Sequence, residues 1–379
     1  MGIKKTKVYF IPNNCQPSTV NQIKMNTKPV REGEELNEGN LKKFLLENNL
    51  ITDAGSELTI GQFSNGFSNL TYLLNIENTE YVLRRPPFAA PKRGHDMGRE
   101  YKVIHNLNSV FDKTPKAFAY TEDVDIIGAP FYIMSKVAGE ILTAKEAHKR
   151  QVSPDEFKTI SNTWLDTFVD FHNIDYKAAG LEDLGRPDGY VERQVTNWGK
   201  QYLAAATDDV PAAEKVMAWM QENQPRQYDH TIIHNDFKYD NVVFKDDSWN
   251  EIAAILDWEM CTLGDPLMDL GTSLGYWTTA SDPDIMKQGL KSPTVMEGNP
   301  SRTDIVQQYA LKSGRNIDNL TFYYAYGLFK IAVIAQQIYY RYKHGHTSDP
   351  KFAYLNKAAE LCCNTAWQAI QKNQIDNLF

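Results

Sequence analysis

Between residues 232 and 259 the chain alternates short apolar runs with polar loops whose reactive residues fall at fixed offsets. The first stretch is Ile232-Ile233-His234-Asn235-Asp236-Phe237-Lys238-Tyr239-Asp240-Asn241-Val242-Val243-Phe244, and the second is Ile255-Leu256-Asp257-Trp258-Glu259. Apolar runs this short, rich in Ile and Val and bounded by polar residues, predict buried strands. Three chain reversals then converge on one pocket that holds His, Asp, Lys and Asn, with a further Asp ending the third run.

That set of side chains suits phosphoryl transfer. A hydroxyl attacking a nucleoside triphosphate needs a carboxylate to orient it and take its proton, and two oxygen-bearing groups to hold Mg²⁺ against the phosphates. Asp236, Asn241 and Asp257 fit those roles in that order, and His-x-Asp-x-x-x-x-Asn is the catalytic-loop spacing of kinases. Lys238, two residues past Asp236, can reach a transferred phosphoryl group as a point charge. His234 completes the catalytic set as a brace for the loop backbone rather than a group that touches substrate. The plainer alternative is a polar turn that collects Asn and Asp for turn geometry alone.

With further motifs around this core, the chain resembles the aminoglycoside phosphotransferase and choline kinase family of small-molecule kinases. The resemblance is strongest to the branch that occurs fused to acyl-CoA dehydrogenases or as free-standing bacterial proteins. It rests on Gly66-Phe67-Ser68-Asn69, Tyr81-Val82-Leu83-Arg84-Arg85-Pro86-Pro87, Arg99-Glu100-Tyr101, Gly185-Arg186-Pro187 through Tyr190, Arg193-Gln194, Trp198, and Gly264-Asp265-Pro266-Leu267-Met268-Asp269-Leu270. These motifs, with the catalytic loop, cover about residues 30 to 375. Asn65 stands where that branch often has Gly, and Asp257 is followed by Trp258-Glu259 rather than Phe-Gly.

The resemblance implies an α+β, bilobal protein-kinase-like fold, with a small, mainly antiparallel β N-lobe and a larger, mainly helical C-lobe. Its expected limits here are a loosely ordered segment over 1–39, an N-lobe over 40–136 and a C-lobe over 137–379. The fold also implies nucleotide-binding positions: Gly66, Ser68 and Asn69 in a hairpin loop over the phosphates, Arg84 as the strand cation, and Glu100 as its helix partner. Ser135, Lys136 and Val137 would form the hinge that receives the adenine edge. Strand alternation turns Arg85 to the face opposite Arg84. Protein kinases use Lys at the Arg84 position, and Arg offers instead a planar fork that binds phosphate or carboxylate with two bonds. Asp269 takes the place of a buried carboxylate that braces the catalytic loop.

Outside the motifs, periodicity predicts a helix with Leu41, Phe44 and Leu45 on one face, strands over 58–63, 70–76 and 81–84, and a helix from about Met97. Ser153-Pro154-Asp155-Glu156 predicts a capped helix start, followed by Phe157, Ile160, Trp164, Phe168 and Phe171 on one face. Another helix starts at Asp265-Pro266, another at Ser301 and stops at Gly314, and two more cover about 320–343 and 348–372. Gly185 to Trp198 shows little periodicity, and residues 279–300 predict a loop.

A formal net charge of −8 gives no reason to expect nucleic-acid binding. The four cysteines, Cys15, Cys261, Cys362 and Cys363, form neither a disulfide framework nor a metal-ligand spacing, so a reducing cytoplasm is the expected location. Lys330 and Gln336-Gln337 interrupt the most apolar region, which therefore predicts a core helix and no membrane span. The expected activity is ATP- and Mg²⁺-dependent phosphorylation of a small-molecule hydroxyl. The resemblance points to a hydroxyacyl group or its CoA thioester as acceptor, and to a functional link with an acyl-CoA dehydrogenase. Two alternatives are a catalytically silent nucleotide-binding module that acts through partners, and an aminoglycoside- or choline-type kinase. A protein kinase is disfavoured because Gly264-Asp265-Pro266 follows Asp257 with no Ala-Pro-Glu segment.

Overall fold

The computed structural model describes residues 27–63, 69–87, 96–347 and 349–379. Gly66 and Ser68 of the expected phosphate loop lie outside the described residues.

The N-terminal part is built on strands β1 (Thr27–Lys28), β2 (Leu58–Phe63), β3 (Leu70–Ile76), β4 (Thr79–Arg85), β5 (Ala117–Thr121) and β6 (Phe131–Ser135). They form one antiparallel sheet in the order β1-β2-β3-β4-β6-β5. Glu77 and Asn78, both at positive φ (51° and 60°), make the tight turn between β3 and β4, with a backbone twist that matches the flanking strands. Helix α1 (Glu38–Glu47) buries Leu41, Phe44 and Leu45 in a core shared with Leu58, Leu74, Leu83 and Phe131. Helix α2 (Met97–Leu107) joins the opposite face, where Val82, Tyr132 and Met134 meet Met97, Val103 and Ile104. Arg84 and Arg85 thus diverge as the two-residue period requires, and the Arg85 guanidinium donates to the carbonyl of Ile127 in α3 (Val124–Ile127).

The expectation of a loosely ordered segment extending to residue 39 needs correction over 27–39. Thr27–Lys28 pair with Phe63 and Gln62, Gln62 accepts from the Arg31 amide at 3.0 Å, and the Tyr72 hydroxyl donates to the Glu34 carbonyl at 2.8 Å. Low apolar content masks such a strap, because its order comes from pairing at a sheet edge and from single polar bonds, with only Leu36 buried in the core and Val30 packed against it.

The chain leaves the sheet through Gly139, whose φ of 137° belongs to glycine and whose Cβ would sit 2.2 Å from the Phe244 carbonyl oxygen. Glu140 and Phe244 exchange main-chain hydrogen bonds of 2.8 Å directly after it. Helices α4 (Ala144–Arg150), α5 (Pro154–His172), α6 (Tyr190–Ala205) and α7 (Pro211–Glu222) follow. The α5 capping box of Ser153 and Glu156 is present, and Phe157, Ile160, Trp164, Phe168 and Phe171 are buried. Two short antiparallel pairs come next, β7 (Thr231–Ile233) with β10 (Thr262–Gly264) and β8 (Val242–Phe244) with β9 (Ile252–Ile255).

Helices α8 (Pro266–Tyr276), α9 (Asp284–Leu290), α10 (Arg302–Ser313), α11 (Leu320–Lys343) and α12 (Leu355–Lys372) complete the helical part. Gly271 of α8 and Gly327 of α11 bring those helices into backbone contact: a Cβ on either would lie 2.1 Å or 2.0 Å from a facing carbonyl oxygen. The interval 279–300 is less irregular than its Asp, Pro, Ser and Gly content predicts, since α9 lies inside it with Met286 buried. Among the described residues no helix is long and apolar enough to cross a membrane. The protein is α+β and bilobal.

Candidate active site

The loop between β7 and β8 is held from below before any reactive group is presented. Asp269, fully buried in α8, accepts the amides of His234 (2.6 Å) and Asn235 (2.7 Å) and the His172 Nε2–H (3.1 Å). Burial alone would raise the Asp269 carboxyl, but the hydrogen bonds from the His172 ring and the His234 amide outweigh it and hold the group below the usual range. His172 and His234 are themselves pushed down by burial and stay neutral. His234 Nε2–H donates to the Leu256 carbonyl at 3.0 Å while its Nδ1 accepts the Asp236 amide at 3.2 Å. His234 is therefore a loop brace, joining the loop to the segment before Asp257.

Asp236 projects from this braced turn. Its carboxylate accepts the Lys238 ammonium at 2.8 and 3.0 Å and the Asn241 side-chain N–H at 2.7 Å. Asn241 also donates to the Asp236 carbonyl at 2.8 Å, which commits its nitrogen and leaves its oxygen as an acceptor-only group. Burial would lower the Lys238 ammonium, but the Asp236 carboxylate outweighs it, so the lysine stays charged. The ammonium also lies 4.6 Å from the centre of the Tyr276 ring.

Asp257 adopts a left-handed conformation (φ 68°) that ends the β9 direction and turns its side chain to the sheet. Its Oδ1 lies 3.1 Å from Arg84 Nη2, while Arg84 Nη1 donates to Glu100 at 2.6 Å. Glu259, outside the predicted set, accepts from Asn69 Nδ2 at 2.9 Å and stands 3.5 Å from Arg84 Nη2. Burial opposes the charge on Arg84, but Glu100 and the neighbouring acids more than offset it, so the guanidinium remains charged. Burial would raise the Asp257 carboxyl, and Arg84 reverses that and holds it low. Asn241 Oδ1 and Asp257 are hard oxygen donors of the kind Mg²⁺ takes in addition to phosphate oxygens. Among the described residues no three His, Cys, Asp or Glu are grouped to hold a metal ion.

Helix α2 carries Glu100 and is anchored to the larger lobe. Arg99 donates to the carbonyls of Leu184 (3.1 Å) and Cys261 (2.5 Å), Asn106 to those of Ala179 (2.9 Å) and Gly180 (3.0 Å), and Lys102 pairs with Asp183 at 2.6 Å. If the chain uses ATP as the sequence leads one to expect, Arg84→Lys, which keeps the charge and loses the fork, should lower kcat/KM for ATP about ten-fold or more, with a similar loss for Glu100→Gln. Because the two side chains act as one unit, the double variant should be less impaired than the product of the single effects in a steady-state kinetic cycle. Independent, multiplicative losses would show that the pair is not coupled.

At the crossover, Ser135 is bound into the sheet, its amide donating to the Lys116 carbonyl (2.8 Å) and its hydroxyl accepting the Lys116 amide (2.9 Å). Lys136 pairs with Glu80 at 2.6 Å. The segment from Gly185 proves helical from Tyr190, and Arg193 donates to the carbonyls of Asp188 and Arg186, closing the turn before α6. Sequence reading missed Glu259, Tyr276 and Lys330. Glu259 carries a local signal, a second carboxylate two residues beyond Asp257, whereas the other two reach the loop only through tertiary packing.

The model of the phosphotransferase enzyme family matches residues 59–301, well over half of the chain and including every loop described above. The chain belongs to the phosphotransferase enzyme family. Other comparisons place this phosphotransferase-family chain among several kinds of relative. It is 36% identical over 305 residues to human acyl-CoA dehydrogenase family member 11, covering 79% of this chain and 38% of that protein. A crystal structure from Ralstonia eutropha, provisionally assigned as an aminoglycoside phosphotransferase, is 29% identical with a TM-score of 0.74 and covers 89% of this chain and 99% of that one. Aminoglycoside phosphotransferase APH(4)-Ia, in a ternary complex with AMP-PNP and hygromycin B, shares the fold at 16% identity and a TM-score of 0.54, covering 87% and 98% of the two chains. The chain spans less than half the length of the curated relatives it matches.

Proposed function

We propose that this chain is an ATP- and Mg²⁺-dependent kinase that phosphorylates a hydroxyl of a small molecule, the acceptor being a hydroxyacyl group or its CoA thioester. The observation that carries the reading is the 3.1 Å contact between Arg84 Nη2 and Asp257 Oδ1. It joins the strand cation of the sheet to the acid that follows β9, while Asn241 ties the metal side to Asp236 at 2.7 Å. The Leu256 amide donates to the Asn241 carbonyl at 2.7 Å, so the segment that carries Asp257 is tied to the loop that carries Asp236 and Asn241. In this reading Asn69 faces the phosphates, with Gly66 and Ser68 expected beside it from the sequence alone, and Ser135, Lys136 and Val137 stand on the adenine side. The Ser135 amide is already committed to Lys116, which leaves the main chain of Lys136 and Val137 for the base.

In this reading Asp236 orients the acceptor hydroxyl and takes its proton, and Lys238 supplies positive charge beside the transferred phosphoryl group. Asn241 and Asp257 would hold Mg²⁺, which would supply charge neutralisation at the phosphate oxygens. The acyl acceptor is supported by relatives named as acyl-CoA dehydrogenase family members, a functional link to such a dehydrogenase being part of the same reading. ATP consumption measured against hydroxyacyl-CoAs, aminoglycosides, choline and sugars should show acceptor-dependent turnover with the first group. Asp257→Ala should abolish the tightening of ATP binding by Mg²⁺ in calorimetric titrations. Turnover with aminoglycosides alone would replace the acceptor, and an unchanged metal dependence would reduce Asp257 to a turn residue.

A further inference from the structure

Lys330 lies midway along α11, is 1% exposed, and interrupts an otherwise apolar and aromatic stretch. A buried ammonium without compensation is costly, so its partners reveal what it is for. Its Nζ donates to the Asn235 main-chain carbonyl at 2.7 Å and to the Asn235 side-chain oxygen at 3.1 Å. Asn235 directly precedes Asp236 and has a φ of 69°. Its amide is taken by Asp269 and its side-chain nitrogen donates to the Met260 carbonyl at 3.1 Å.

The carbonyl that Lys330 grips belongs to the peptide unit that begins at Asn235 and ends at the Asp236 amide. That amide donates to His234 Nδ1, so the same rigid plane is held at both edges. With the plane fixed, the Asp236 Cα, from which the carboxylate projects, is fixed in place relative to the β7–β8 loop. The left-handed backbone at Asn235 is a conformation that persists where its surroundings over-determine it, and Asp269, Met260 and Lys330 do so from three directions. We infer that Lys330 is a positioning residue for Asp236, holding the peptide plane that aims the carboxylate at its acceptor. This rests on the assignment of Asp236 as the base. It also gives a role to the segment that resembles a family motif: the Trp198 ring lies 5.9 Å from the Lys330 ammonium and the Tyr190 hydroxyl meets the Asn235 side chain.

The charged groups that face Lys330 are Asp269 of α8 and Asp236 and Lys238 of the loop. Burial lowers the ammonium to about 8, against the two carboxylates. A rise in pH through that value turns a charge-assisted grip into a neutral one.

The test compares wild type with Lys330→Met, which keeps the length and loses the donor, in two assays. Hydrogen exchange of peptides spanning residues 233–241 should show loss of protection in the variant, and in wild type above pH about 8. Steady-state kinetics should show kcat reduced about ten-fold or more with KM for ATP within two-fold, and an alkaline fall in the wild-type kcat that the variant lacks. Unchanged loop protection in a folded variant, or loss of ATP affinity in parallel with kcat, would overturn the inference. Should the variant fail to fold, Lys330→Gln, which shortens the reach and removes the charge, takes its place in both assays, and loop protection and kcat equal to wild type overturn the inference. Loop protection that depends on Lys330 in a protein that consumes no ATP with any acceptor would refute the kinase reading and leave the structural coupling standing.

Discussion

Asp236→Asn should lower kcat by roughly two orders of magnitude or more while leaving ATP affinity nearly intact. The carboxylate is the one reactive group on which the Lys238 ammonium and the Asn241 amide converge, with its two oxygens within 2.7 to 3.0 Å of those donors. An amide in its place can still accept from one of them, so the loop should keep its shape. What disappears is the capacity to take a proton from a hydroxyl. The nucleotide contacts assigned to Arg84 and the loop over the phosphates do not involve Asp236, so calorimetric ATP binding should change little. A variant that retains wild-type turnover on an identified acceptor would remove Asp236 from the role of base.

Asp269→Asn should cost about 1–3 kcal/mol of stability, although the residue touches no substrate in the proposed mechanism. One fully buried carboxylate serves two loop amides and the His172 ring, and an amide side chain offers a single acceptor oxygen and places an N–H against a donor. Urea denaturation of wild type and variant measures the loss. The pH dependence adds a second signature. The folded carboxyl lies below its unfolded value, so its stabilisation is fully present above an unfolded pKa of about 3.9 and is lost as pH falls through the folded one. Below pH about 4 the wild type should therefore lose stability that the Asn variant never had. A variant within about 1 kcal/mol of wild type at neutral pH would show that the loop amides find other partners.

The parts of this arrangement legible in the sequence are those whose geometry is local. His234, Asp236 and Asn241 share one short loop, so their spacing already implies convergence, and the Ser153–Glu156 box announces α5 by chemistry that spans three residues. Helix α6 carries a usable period, since Val191, Val195, Trp198 and Tyr202 fall at i, i+4, i+7 and i+11, but it lacks a start signal: the residue before it is Gly189 in a left-handed conformation with no side-chain cap. Pro211 at the first turn of α7 was a usable signal of a kind that α6 lacks. Glu259 with Asn69 and Lys330 with Asn235 join residues separated by 190 and 95 positions, and only the folded chain brings them together.

The anchoring of α2 bears on how far this protein can drift in sequence. Arg99 and Asn106 grip main-chain oxygens of Ala179, Gly180, Leu184 and Cys261, not their side chains. Any residue able to adopt the same backbone path presents the same oxygen, so point substitutions at Leu184 or Cys261 leave the attachment of the Glu100 helix in place to the extent that their own packing permits. An insertion or deletion between 179 and 184 is different, since it moves the oxygens themselves. In a mutational scan this stretch should therefore accept exchanges of identity far more readily than changes of length.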